Sequence, residues 1–383
     1  MRRLSLGVVV ALLLAATAKA QIGKTVVVPA GTPEDSAVTA IYAEQDPAKK
    51  IALLDKFAAD HPSGDFALLA NQLYVSAYTS TKEYDKAFAA GEKALAIDPD
   101  NFATAVNLVR AAEESGDQEK LFHYGEIVGA ILARFKAAPA PSGTSATDWQ
   151  VKQKETLDSA QQDIQYVESA LYGAAFKAAS PAERAEFFER YAVAFPDSPN
   201  TSAAEAECVL SYQAARNTPK MLEVAQRALK DDPNNVTVLV TMADYWSDQG
   251  KQLDEAEADA KKALADLPTM KKPDGMTDDQ WQQQISLQKG LALSAQGQVD
   301  VIRGSNAAAI QSFEQASPLL KSDTFSYGRN LYRWGFTLAK MRRIPEARRI
   351  LTEAVDTKSP YTSLAEQTLA KIGGPLRTSR RPG

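Results

Sequence analysis

The chain has 383 residues, 45% hydrophobic and 24% charged, which is apolar enough for two compact cores or one long one and excludes a disordered polymer. Its formal net charge of -5 and pI near 5.4 offer no concentrated Lys/Arg face, which excludes a nucleic-acid partner held through its phosphates. Cys208 is the single cysteine, so no internal disulfide can form and stability has to come from packing.

The first twenty residues differ from the rest. Arg2 and Arg3 precede an apolar run from Leu4 to Ala16, and Ala18, Lys19 and Ala20 form a small-residue cleavage pattern before Gln21. Such a run reaches about 20 Å as a helix, short of the roughly 30 Å hydrocarbon core of a bilayer. Residues 1–20 are therefore expected to be a secretory signal peptide, by the Sec or the Tat route, and the protein to be exported from a bacterial cell, periplasmic or secreted. Membrane contact is expected only through this segment, and only if it stays uncleaved.

Residues 21–45 hold a β-prone run that stops at Pro29, too short to found a sheet and expected as an extended arm. Thr32 then caps a short helix with Pro33 at its first position, and Asp46 with Pro47 opens the next. From there the pattern is helix, turn, helix. Ile51, Leu54 and Phe57 recur at helical spacing and stop at His61 and Pro62, which begins a first array over residues 46–135. The Pro/Ala/Ser-rich stretch 136–147 cannot bury itself and is expected as a linker between this array and a second one, 148–267.

In the second array, Leu157, Ala160, Ile164, Val167, Leu171 and Ala174 form a seam for a neighbouring helix, and Ser180 to Glu183 is a capping box with Pro181 at the first helical position. A loop, 268–276, precedes a second capping box at Thr277 to Gln280 and further hairpins to residue 373. Residues 374–383, with Arg377, Arg380 and Arg381 among Pro and Gly, are expected as a disordered basic tail.

The two arrays repeat one another. Pro47, Pro62, Tyr78, Ala94, Asp98, Pro99, Asn101 and Gly116 recur 134 positions later as Pro181, Pro196, Tyr212, Ala228, Asp232, Pro233, Asn235 and Gly250. Landmarks held at one offset mark a duplicated stack of helical hairpins, since such a unit buries its apolar face only against its neighbours.

The hairpins carry a further pattern. Leu331, Trp334, Gly335 and Leu338 are followed by Ala347, Leu351 and Ala354, with Pro360 after them. The unit before has Leu293, Gly297, Ala309, Phe313 and Ala316, although Asp300 replaces an aromatic. Tyr78, Ala87, Ala94 and Pro99 fit in the first copy, as do Tyr212, Ala228 and Pro233 in the second; Leu239, Met242, Trp246, Ala256, Ala260, Ala263 and Pro268 fit once a residue is inserted after Gly250. This resembles the tetratricopeptide repeat (TPR). The resemblance implies an all-α, right-handed superhelical solenoid of antiparallel hairpins. It also implies a concave face, lined by the first helix of each hairpin, that binds a protein or peptide. Here that face selects Gln72, Ser76, Arg110, Gln213, Asp244, Tyr332 and Phe336, with Arg333 a further anchor type and Trp334 expected in the core. The Lys/Asn set with which some members hold a terminal carboxylate is missing, Val106, Leu210 and Val240 standing at corresponding positions.

No catalytic role is expected. His61 sits at a helix end and His123 in a second-helix position, neither with ligand partners at metal spacing, and no phosphate-binding or nucleophile motif occurs. Cys208 is expected as a small buried hydrophobe. No cofactor is expected. Two other readings stay open: a cell-envelope enzyme or glycan-binding helical domain, and an envelope assembly subunit tethered by an uncleaved N-terminus.

Overall fold

The computed structural model describes residues 21–273 and 275–373, so the expected signal segment and basic tail lie outside the described residues. Every regular element among the described residues is helical. They are α1 (Pro33–Ala43), α2 (Pro47–Asp60), α3 (Gly64–Ser80), α4 (Tyr84–Ile97), α5 (Phe102–Ser115), α6 (Gln118–Ala137), α7 (Ala146–Ala175), α8 (Pro181–Ala194) and α9 (Thr201–Ala214). They continue with α10 (Thr218–Asp231), α11 (Val236–Gln249), α12 (Leu253–Asp266), α13 (Asp278–Arg303), α14 (Asn306–Ala316), α15 (Thr324–Lys340), α16 (Ile344–Asp356) and α17 (Thr362–Lys371). Packing is chiefly between sequence neighbours, with α3 on α4, α5 on α6, α11 on α12, α13 on α14 and α15 on α16 as antiparallel hairpins. This is a TPR-like helical fold.

The starts follow from capping chemistry. Thr32 and Asp46 accept from the backbone N–H groups of Asp35 and Lys49 at 3.1 and 3.0 Å, each ahead of a proline whose missing N–H is not needed there. At Thr277 both halves of the capping box form. Hairpin turns share one device: Lys82, Arg216 and Arg342 take left-handed backbone (φ 61°, 58° and 59°), and the next residue's N–H returns to a carbonyl five positions back.

The duplication holds at the level of elements. The bounds of α2, α4 and α5 recur 134 positions on as those of α8, α10 and α11, and α12 starts 135 after α6, the one inserted residue lying beyond Gly250. Even the left-handed turn residue recurs, Lys82 as Arg216.

Contacts divide the described residues into two units: those up to Ala179 with Glu186–Thr201, and Ser180–Ala185 with those from Ser202 onward. The stretch expected as a linker is shorter than 136–147 and has another role. Lys136 and Ala137 finish α6, Ala146 and Thr147 start α7, and the loop between them folds α7 back onto α6 inside the first unit. The Trp149 indole donates to the Ala138 carbonyl (2.8 Å) and Gln153 to that of Phe135 (2.7 Å), which ties the loop down. The arm forms no regular element and is docked: Ile22 is buried, its carbonyl accepts from Phe102, and the Lys24 N–H donates to the Asp98 carboxylate at 2.7 Å.

Small residues set helix separation. Ala94, Ala228, Ala260, Ala309 and Ala347 are fully buried, and a methyl on Gly297 or Gly335 would lie 2.7 Å from Phe313 or 2.6 Å from Leu351, the bulky residue of the opposing helix. Trp334 is in the core of the last hairpins, and Cys208 is buried, its thiol 3.3 Å from the Ala185 carbonyl.

Candidate partner-binding surface

The residues selected from the sequence fall three in the first unit and four in the second. In the first, Gln72 on α3 donates to the Oδ1 of Asn101 at 3.0 Å, and Asn101 is the buried cap of α5; Gln72 therefore positions a helix start. Ser76 is exposed on the same helix. Arg110 on α5 is engaged by α7: its Nη2 donates to Asp163 at 2.7 Å and its guanidinium lies 4.2 Å from the centroid of the Tyr166 ring, whose hydroxyl donates in turn to Glu113. Of these three, only Ser76 is left facing solvent without such ties.

In the second unit Gln213 is exposed on α9. Asp244 is not a free acceptor. It and Asp248 stand one turn apart on α11, Arg329 and Arg333 one turn apart on α15, and α13 touches both helices. The Nη2 of Arg329 donates to both Asp244 oxygens, at 2.7 and 2.8 Å, and Arg333 pairs with Asp248. Both arginine side chains are more than nine-tenths buried, with Arg329 Nε and Arg333 Nη1 lacking a hydrogen-bond partner among the described residues. Burial and the neighbouring Arg329 pull the Arg333 guanidinium below its usual range, whereas for Arg329 the Asp244 carboxylate outweighs burial. The two pairs clamp α15 to α11.

Beside this clamp lies a row of rings. Phe325, Tyr332 and Phe336 come from α15, and Tyr361 from the turn before α17. Neighbouring centroids are 5.6 Å apart for Phe325 and Tyr361, and 6.0 Å for Tyr361 and Tyr332 and again for Tyr332 and Phe336. Phe325 and Phe336 remain 47% and 46% exposed although a phenyl ring gains nothing from water. The Arg329 guanidinium sits 5.4 Å from the Phe325 ring centroid, so the buried clamp also fixes the end of the row.

The structure thus brings Tyr332 and Phe336 together and adds Phe325 and Tyr361, which sequence reasoning did not select. Phe325 is in the first turn of α15, before the repeat pattern begins, and Tyr361 is outside any helix. Arg329 and Asp248 were missed as well. Their one signal is a matched pair of four-residue spacings, Asp244 with Asp248 and Arg329 with Arg333, separated by 85 residues in both cases.

Chemically the surface can bury rings, while its two arginines are already buried against Asp244 and Asp248. Among the described residues no group of His, Cys, Asp and Glu is placed to hold a metal ion. His61 caps the end of α2 with its ring 4.8 and 4.9 Å from those of Phe57 and Phe66.

No family model matches the chain, and no curated protein matches it. Among solved structures similar to it is the crystal structure of the P58(IPK) TPR domain, with 13% sequence identity over 88% of this chain and 86% of that chain, and a TM-score of 0.27.

Proposed function

We propose that the chain is an exported, non-catalytic scaffold of the tetratricopeptide type, which holds a protein or peptide segment against the ring row of α15 in its second unit. The observation that carries this reading is the half-exposed pair Phe325 and Phe336 at the ends of a row that Tyr332 and Tyr361 complete. Covering what remains exposed of each phenyl ring is worth about 1 kcal/mol. The rings are already ordered by one another and by α15, so little rotamer freedom is lost on binding. Rigid aromatic anchors beside a buried arginine are the residue types on which protein contacts concentrate. Export rests on the pattern of residues 1–20.

Affinity capture from cell-envelope extract tests the reading. The unaltered chain is expected to retain a discrete set of proteins that the Tyr332→Ala/Phe336→Ala double variant loses; equal recovery by both baits overturns the assignment. Intact mass tests export. A chain starting at Gln21 is expected, and one retaining residues 1–20 makes this a membrane-tethered subunit.

A further inference from the structure

A cleft of about 480 Å³ opens in the first unit between α2 and α4, with α3 as its floor. Alanines and Pro62 form most of its apolar lining, Tyr74 and Tyr78 a wall, and His61, Asn71, Lys86 and Lys93 its polar positions. Tyr74 lies about 160° round α3 from Gln72 and Ser76, so the cleft and those two positions occupy different faces.

The duplication supplies an internal comparison. At the offset of 134, Asn71, Ala89, Ala90 and Lys93 correspond to Glu205, Glu223, Val224 and Arg227. In the second copy Glu205, only 4% exposed, accepts from Arg227 Nε at 3.3 Å, so the cation on the second helix of that hairpin has its own countercharge. In the first copy the cation is kept, as Lys93, and the carboxylate is gone. Asn71 is neutral, and its amide donates to the Ala67 carbonyl at 2.8 Å. Lys93 makes no ion pair among the described residues, whereas Lys86, the other ammonium of the cleft, is engaged by Glu83 and lies 5.4 Å from the Tyr78 ring centroid. Ala90 and Ala89 stand where the other copy has a valine and a glutamate, and Tyr74 stands in place of Cys208. The wall opposite is braced: Tyr74 donates to Asp55 at 2.6 Å and stacks on Tyr78 with centroids 5.4 Å apart and planes within 8°.

We infer that this cleft binds a small organic carboxylate, whose anionic end meets Lys93 in the role that Glu205 has for Arg227, and whose apolar or aromatic body lies over the alanines against the tyrosine wall. The site is separate from the ring row of α15 and does not depend on a protein partner. A ligand supplied from outside the chain completes the pair that the other copy completes internally.

Calorimetric titration of the full chain tests this with phenylacetate as probe, 2-phenylethanol as its uncharged match and inorganic phosphate as an anion without a body. Phenylacetate is expected to bind saturably and to weaken with added salt, with the alcohol and phosphate each at least about ten-fold weaker. Asn71→Glu, which installs the countercharge of the other copy, is expected to abolish binding without lowering the melting temperature. Lys93→Met, at an exposed position where folding is not at stake, is expected to weaken it at least about ten-fold. Absence of saturable binding up to the solubility of phenylacetate, equal binding of the alcohol or of phosphate, or unchanged affinity in Lys93→Met would each overturn the inference.

Discussion

At the scale of single residues, the most consequential arrangement is charge taken out of water. Arg329 is almost wholly buried and its partner Asp244 nearly so. An ion pair in such a place stabilises less than its geometry suggests, because both ions give up hydration, yet breaking it from one side strands the other charge. Asp244→Ala is therefore expected to lower unfolding stability by about 3–5 kcal/mol in denaturant melts. Asp244→Ala with Arg329→Met should recover most of that loss, and a double variant as unstable as the sum of the two singles would show that the pair is not the cause. Asp259 on α12 presents the opposite case, a carboxyl with no ion pair among the described residues. Burial first, and then Glu255, push it up to about 6 from the ordinary 3.8. A carboxyl raised in the folded state favours folding fully below its unfolded value, and that contribution is lost as pH rises through the folded one. Asp259→Asn should accordingly melt above the unaltered chain at about pH 8, with the difference closing toward about pH 4. A gap that does not change with pH would mean that ionisation of this carboxyl is not what costs stability.

At the scale of elements, helix spacing is decided by where a side chain is missing. Gly129 on α6 has no room at all: a methyl there would come 2.3 Å from the backbone carbonyl oxygen of Ala194, at the end of α8, and backbone cannot swing aside as a side chain can. Gly173, near the end of α7, has nothing within 4 Å of the same methyl. Glycine to alanine lowers the entropy of the unfolded chain in both cases, so space alone decides the sign. Gly173→Ala should gain about 0.4–1 kcal/mol and Gly129→Ala should lose stability, as read by thermal melts; a gain at both positions would show that α6 and α8 are not pressed together there. These contacts also mark what was legible beforehand. Prolines, cap residues and the spacing of Leu331, Trp334, Gly335 and Leu338 are local signals, and the hairpins they announce are present. The docking of Ile22 and Lys24 was not legible, because they meet Phe102 and the Asp98 carboxylate through their own backbone groups, which leaves no periodic trace. The loop after α6 was misjudged for a related reason: composition shows that a Pro/Ala/Ser stretch makes no core of its own, and says nothing about the tryptophan that pins it.

At the scale of the whole molecule, each unit is a series of hairpins whose helices touch near neighbours in sequence, so stability should be held in local terms joined by nearest-neighbour ones. The same logic explains why the architecture was legible from repetition while the candidate surface was only half so. Tyr332 and Phe336 lie on repeat positions, but Asp244 and Arg329 meet across an intervening helix, and no repeat pattern encodes a pairing that skips a neighbour. Nearest-neighbour coupling makes a sharp expectation for Leu351, fully buried where α16 fills the notch at Gly335. Leu351→Ala should cost about 2–5 kcal/mol locally. Hydrogen exchange followed by mass spectrometry should then show protection falling in α15, α16 and α17, with the amides of α2, α3 and α4 exchanging as in the unaltered chain. Were α2 to α4 to lose the same protection, the chain would open as one cooperative block, and a stack of locally stabilised hairpins would be the wrong physical description of it.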